Sequence, residues 1–441
     1  MANFKAPLAV FFISFTLYFL FWLFLYKTGK NEFLIQSEDS IPNTYLPVSV
    51  IKDGDLYLEE YYDFFKKHWP DGDNKKAKPY YLAFNYKNRI ISSFPIFNSL
   101  LSVPLYLPLA FIDIEPNSIL IPIFGRISAS FYVALASVFV YLSAFILLKD
   151  KKRSFLVYLS FAFGSINFAL LSQTMWQHGF TSAFLALSLY LTLLDGKYLK
   201  YSGLTLSVAT LIRPTSLIFA LGFTVYVLLK RRKELKSFVL FALLPIPVQL
   251  WYGHSYLGSF FKHSYTSQLT NNWIAPFPEG FLGLWFSPSK GILVYSPQFI
   301  FSLVSIYLIF IKKKLIKLKP DLLFLFKIFA FCLLIFTLLM GKWVHWYGGW
   351  GFGYRMVSDT LPLLALLLVP LMMTKYWYRF RIAFYLLLTW AFFVEFMGMF
   401  FDFRHWHTIY DNGPNDTGWL WSIKDSEMSY YIKKIISKFT Y

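Results

Sequence analysis

Apolar stretches long enough to cross a bilayer recur along the chain, and short clusters of Lys and Arg separate them. A helix needs about 20 apolar residues to cross a hydrocarbon core roughly 30 Å thick. In that core every backbone N–H and C=O must find a partner inside the structure, and uninterrupted runs of this length meet the demand as helices. The composition agrees, since 57% of the 441 residues are hydrophobic and 15% charged, against about 25% charged in a soluble domain. A soluble enzyme, a disordered protein and a collagen-like fibre are thereby excluded. Cys332 is the sole cysteine, which excludes a disulfide scaffold. The net charge of +18 sits mostly in the clusters between apolar runs. That is the positive-inside pattern, so the expected partner is a lipid bilayer and not nucleic acid.

The clusters Lys149–Arg153, Lys230–Lys233, Lys312–Lys319 and Lys375–Arg381, with a weaker one at Lys197–Lys200, are placed on the cytoplasmic side. Keeping them together predicts spans near 8–26, 118–148, 154–172, 179–195, 237–253, 291–311, 321–341, 360–374 and 382–401. The first helix is read as retained, because no small-residue cleavage site follows it. Two further decisions follow from parity. Phe94–Ile112 carries Pro95, Pro104 and Pro108 and is read as helices lying along the outer interface. Residues 203–212 and 215–229 are read as a hairpin turning at Arg213-Pro214. The expected architecture is an all-α polytopic bundle over 1–401, with a long outer loop at 27–117 holding juxtamembrane helices and a short outer tail at 402–441.

Polar residues with a chemical task belong on the outer face, since charge topology alone explains the cytoplasmic connections. Glu38 and Asp39 follow the first span, and two adjacent carboxylates serve as a general base, a metal ligand or a solvated helix cap. Asp53 and Asp55 flank Gly54 and read as a turn, Leu56–Lys67 suits an amphipathic helix, and Asp71–Lys78 reads as a solvated loop. Trp176, Gln177 and His178 occupy a tight turn between two spans, where a binding role competes with an interfacial one. The richest segment runs from Gly341 to Arg355, with Lys342, His345, Trp346, Trp350 and several glycines, and Asp359 follows. Glycines let backbone approach a ligand, flat rings stack on sugars, and the three cations suit a phosphate. Asp359 stands one helical turn past Arg355 and is expected to orient or neutralise it. Arg126 and Arg213 are candidates for the same anion, with snorkelling as the alternative for Arg126. His254, His263, Trp273, Glu279, His405 and His407 complete the outer set, and the histidines are expected to be non-ligands.

An acidic pair early in a long first outer loop, proline-rich juxtamembrane helices and the segments Thr174–Gly179, Leu211–Thr215, Ser287–Pro297 and Trp346–Arg355 together resemble the GT-C superfamily of polyprenyl-linked glycosyltransferases. The resemblance runs by order and topology over roughly the whole chain. It departs in the adjacent order of the acids and in the absence of a large domain after the last span. It implies a polyprenyl-phosphate sugar donor, an acceptor hydroxyl on a glycan, lipid or protein, and transfer outside the cytoplasm with inversion. Asp39, with Glu38, would serve as base. Arg355, Lys342, His345, Arg213 and Arg126 would hold the phosphate, while Trp176, Gln177, His178, Trp346 and Trp350 would line the sugar. The resemblance names no certain cofactor, and a divalent metal at the acids stays open. A lipid or sugar transporter and a non-catalytic lipid-binding protein are the competing expectations.

Overall fold

The structure, a computed structural model, describes residues 5–30, 34–68, 82–194, 196–262, 264 and 272–439. His263 and Asp71–Lys78 lie outside the described residues. Helix α1 (Lys5–Lys27) is followed by α2 (Ile41–Lys52) and α3 (Glu59–His68). A two-stranded antiparallel hairpin, β1 (Ala83–Tyr86) and β2 (Arg89–Ser92), comes next. Its turn residues Lys87 and Asn88 both have positive φ, 51° and 63°, the conformation that matches strand twist in a two-residue turn. The all-α expectation did not include this hairpin. Helix α3 falls where the amphipathic segment was expected, and Asp53, Gly54 and Asp55 form the expected turn, Gly54 having a φ of 73°.

Helix α4 (Phe97–Tyr106) with its 3-10 extension to Phe111 is apolar but shorter than a full crossing. It packs on α2, where Ser99 Oγ donates to Asn43 O at 3.2 Å and Tyr106 OH to Thr44 O at 3.1 Å. The bundle continues with α5 (Leu120–Leu148), α6 (Lys151–Ala162), α7 (Gln177–Leu194), α8 (Leu199–Ile212), α9 (Leu217–Lys230), α10 (Leu235–Leu243) and α11 (Ile246–Leu257). It closes with α12 (Glu279–Phe286), α13 (Ile292–Tyr295), α14 (Ile300–Ile311), α15 (Pro320–Met340), α16 (Leu361–Leu366), α17 (Val369–Met372) and α18 (Tyr376–Phe400). Two helices, α19 (Phe403–Tyr410) and α20 (Glu427–Phe439), form the tail.

Among the described residues six segments are long and apolar enough to cross a membrane: α1, α5, the run Arg232–Leu257, α15, the run Arg355–Met372 and α18. The chain is therefore a multi-pass membrane protein of essentially helical architecture. The run Arg355–Met372 is almost wholly enclosed by its neighbours and forms the centre of the bundle. Asp150 caps α6 by accepting from Arg153 N at 3.1 Å, which relieves one of the unpaired donors at a helix start. Several expected spans are interrupted, and the expected turn at Arg213-Pro214 is present. The stretch 154–172 breaks after Ala162 and resumes as a π-helical turn at Asn167–Leu171. The stretch 291–311 breaks at Ser296-Pro297 between α13 and α14. The arms meeting at Arg213-Pro214 diverge, α8 packing between α7 and α10 and α9 against α15. Proline at each of the last two junctions removes a backbone donor and starts a new helix.

Close backbone approach fixes the packing around α12. A Cβ built on Gly283 of α12 would lie 2.2 Å from the Trp346 ring, so α12 and that indole meet only because residue 283 is glycine. Gly283→Val is expected to lower unfolding stability by about 1–3 kcal/mol through overpacking. A denaturation midpoint in detergent checks it, and an unchanged midpoint would mean that the contact is unimportant.

Candidate functional site

The site begins at a 3-10 turn, Glu38–Ser40, that leads into α2. Ser37 opens this turn and its Oγ accepts from Asp39 N at 3.3 Å. Ser37 therefore does the capping, and the reading of Asp39 as a cap falls away. Ser40 Oγ lies 2.8 Å from Thr174 Oγ1, which fastens the acid turn to the turn before α7. From there Asp39 Oδ2 accepts a hydrogen bond from Arg355 Nη1 at 2.7 Å across 316 positions of sequence. The two side chains are 25% and 12% exposed, so the pair is neither sealed in the core nor open to bulk water.

Three more features shape Arg355. Its Nη2 donates to Gly348 O at 2.6 Å, and its guanidinium lies 4.2 Å from the centre of the Trp176 ring. A Cβ on Gly348 or Gly351 would stand at 3.6 Å, in ordinary contact with Nε, so both glycines pack beside that buried nitrogen. Among the described residues, Nε of Arg355 and Nε1 of the buried Trp176 have no hydrogen-bond partner. Buried donors without acceptors are costly, and a charged fork with a donor to spare is suited to an oxyanion. Beside the pair, partial desolvation and the charge of Asp39 raise the pKa of the Glu38 carboxyl.

Below Arg355 lies a second ionic group. Arg213, extended at the end of α8 with φ −138° and ψ 111°, places Nε 2.8 Å from Asp359 Oδ2. His178 bridges the same two residues, with Nδ1 3.0 Å from Asp359 Oδ1 and Nε2 3.0 Å from Arg213 Nη1. The His178 ring is 6.3 Å from that of Trp176, so the two ionic groups are adjacent layers. This corrects two expectations. Asp359 pairs with Arg213 and not with Arg355, and both ring nitrogens of His178 are occupied. All three side chains are nearly or fully buried, and removing one partner of a buried pair leaves an uncompensated charge. Asp359→Asn is accordingly expected to destabilise the fold by about 3–5 kcal/mol. Recovery of folded, monodisperse protein from detergent reads this out, and normal recovery would contradict the assignment.

The remaining candidates divide. Lys342 Nζ donates to Ala275 O at 2.9 Å and is partly buried at the edge of the loop. His345 Nδ1 lies 3.1 Å from Tyr347 OH, and burial and then the charge of Arg355 hold its imidazole below the usual range, which keeps it neutral. Trp350 is half exposed and stacks on His407 at 5.6 Å. Gln177 is buried in the first turn of α7. Trp346 is buried against Gly283 and α12, where it packs the bundle. Arg126 is also removed from the site. It donates to Gln173 Oε1 and Leu34 O and lies over Trp22 inside the bundle. His254 stacks on Phe260, and Glu279 accepts from Thr417. Among the described residues no three His, Cys, Asp or Glu side chains are grouped to hold a metal ion. Glu38 and Asp39 supply two carboxylates, one already engaged by a guanidinium, which is a poor donor set for a divalent cation.

Sequence reasoning singled out Lys290 and His407 but missed that they meet Glu427 in a third cluster. Lys290 and Glu427 are both fully buried, 3.5 Å apart, at the junction of the α12–α13 turn with the tail. His407 joins them, 3.2 Å from Lys290 Nζ. Lys290, two residues after Pro288 and just before Gly291, sat in a recognisable turn, but nothing local marked Glu427 as an interior residue. No protein-family model, curated protein or solved structure matches this chain.

Proposed function

We propose that the protein is a glycosyltransferase that moves a sugar from a polyprenyl phosphate to an acceptor hydroxyl outside the cytoplasm. The observation that carries this reading is the Asp39–Arg355 contact at 2.7 Å. It joins a base and an anion-binding fork at one partly open spot, and Arg355 keeps a donor unspent. In the resting site the guanidinium neutralises Asp39. A donor phosphate competes for the same fork, and the carboxylate it displaces becomes available to the acceptor. Asp39 takes the hydroxyl proton as the acceptor oxygen forms its bond to the anomeric carbon. The bond from that carbon to the phosphate oxygen breaks, and the electron pair leaves with the isoprenyl phosphate. Arg355, with Lys342 at the loop edge, stabilises the charge that grows there. Attack opposite the leaving group inverts the anomeric carbon. Glu38, whose pKa is raised by partial desolvation and the charge of Asp39, stands beside it to take the proton onward. An apolar cavity of about 490 Å³ lined by Phe281, Trp285, Phe310 and Phe331 lies along α12, and it suits a hydrocarbon chain.

The interrupted helices at Arg213-Pro214 favour a lipid or sugar transporter as the second reading. Proteoliposomes charged with a panel of isoprenyl-phosphate hexoses and pentoses, labelled in the sugar, separate the two. Release of isoprenyl phosphate with label on an acceptor is the expected result. Label that crosses the bilayer still bonded to its lipid would establish the transporter instead.

A further inference from the structure

We propose that the C-terminal segment positions Arg355 through Lys290, which grips the backbone of the glycine loop at Gly351. Its functional meaning rests on the transferase reading, whereas its mechanical part does not. Lys290 closes the Ser287–Gly291 turn, whose Ser287 Oγ donates to Leu420 O in the tail at 2.7 Å. An ammonium has three donors, and all three are used. They meet Gly351 O, His407 Nε2 at 3.2 Å and Glu427 Oε2 at 3.5 Å. With its protons spent, Lys290 has none for a ligand, so the cluster is not a second binding site.

Its acceptors are themselves held. Glu427 receives Tyr295 OH at 2.6 Å and Tyr431 OH at 2.8 Å. His407 donates from Nδ1 to Asp411 Oδ2 at 3.1 Å, which leaves Nε2 as the acceptor facing Lys290. Trp350, the residue before Gly351, stacks on the His407 ring at 5.6 Å with the planes 17° apart. The other end of this short loop is Gly348, whose carbonyl binds Arg355. Residues 348–351 are thus clamped between Lys290 on the tail side and Arg355 on the site side. Glycines give the loop little stiffness of its own, so its shape depends on those two grips. Burying an ion pair is poor for stability compared with apolar packing, and a clamp on the loop gives this pair a reason to be charged.

The test uses full-length protein in nanodiscs and the double variant K290M/E427Q, which removes both charges together and leaves no lone buried ion. Hydrogen exchange at residues 348–353 is expected to quicken about threefold to thirtyfold, while α5 and α15 exchange as in the wild type. Binding of farnesyl phosphate, the probe ligand, is expected to weaken by a similar factor. In an Arg355→Ala background the double change should weaken it no further, because it acts through that residue. Tyr431→Phe, which removes a single hydroxyl from Glu427, should move both readouts the same way by less. Unchanged loop exchange in the double variant would overturn the proposal, as would a binding loss that persists without Arg355. Should the wild type fail to bind farnesyl phosphate, the transferase reading fails while the exchange result still decides the clamp.

Discussion

Asp39→Asn is expected to leave the protein folded in the membrane and to lower sugar transfer by about two to four orders of magnitude. The substitution keeps the size of the side chain and still offers an oxygen to Arg355 Nη1, which lies 2.7 Å away. It removes the charge that accepts the proton. Ser37 Oγ still caps the turn and Ser40 still meets Thr174, so the local backbone has no reason to move. The loss should fall on kcat, with the donor KM little changed. Folding is followed by size-exclusion profile and turnover by initial rates. A variant with normal kcat would remove Asp39 as base and shift the task to Glu38.

Arg355→Lys is the second large effect, expected at about 10²–10³ in kcat/KM. The substitution keeps the charge, so a purely electrostatic role would survive it. It cannot keep the geometry. Arg355 reaches Asp39 with one nitrogen, Gly348 O with another and Trp176 with its flat face. An ammonium is a point charge without a plane or fork, and it satisfies at most part of that set. Activity within about threefold of wild type in the lysine variant would mean that charge alone matters there.

That Asp39 and Arg355 belong to one site was legible because each stood out locally, although their direct ion pair was not. One is an acid pair just past a span, and the other is a cation in a run of glycines and aromatics whose outward placement followed from the basic clusters. What the sequence left hidden was pairing among far-apart ions. Asp359 sits four residues from Arg355, and helical spacing suggested that they meet. The segment is instead a 3-10 turn, Arg355–Thr360, and the carboxylate turns to Arg213 and His178. Arg126 looked like a phosphate ligand because an intramembrane cation usually has a task. Gln173 and the Trp22 ring supply a local one. The tail carried no apolar run and read as an outer appendage, yet Glu427 is buried against Lys290. Amphipathic α20 hides its one interior carboxylate among ordinary surface charges, and no local pattern distinguishes it. The helix interruptions follow the same logic, since proline marked the breaks at 214 and 297 while the π-helical turn at Asn167–Leu171 had no proline to announce it.

Equilibrium binding of farnesyl phosphate to wild-type and Asp39→Asn protein tests the central claim most directly, because the ligand-free carboxylate occupies the fork that the phosphate needs. The account predicts that the asparagine variant binds at least as tightly as wild type while its turnover is lost. Binding that collapses together with turnover would contradict it and reduce Asp39 to a structural partner of Arg355.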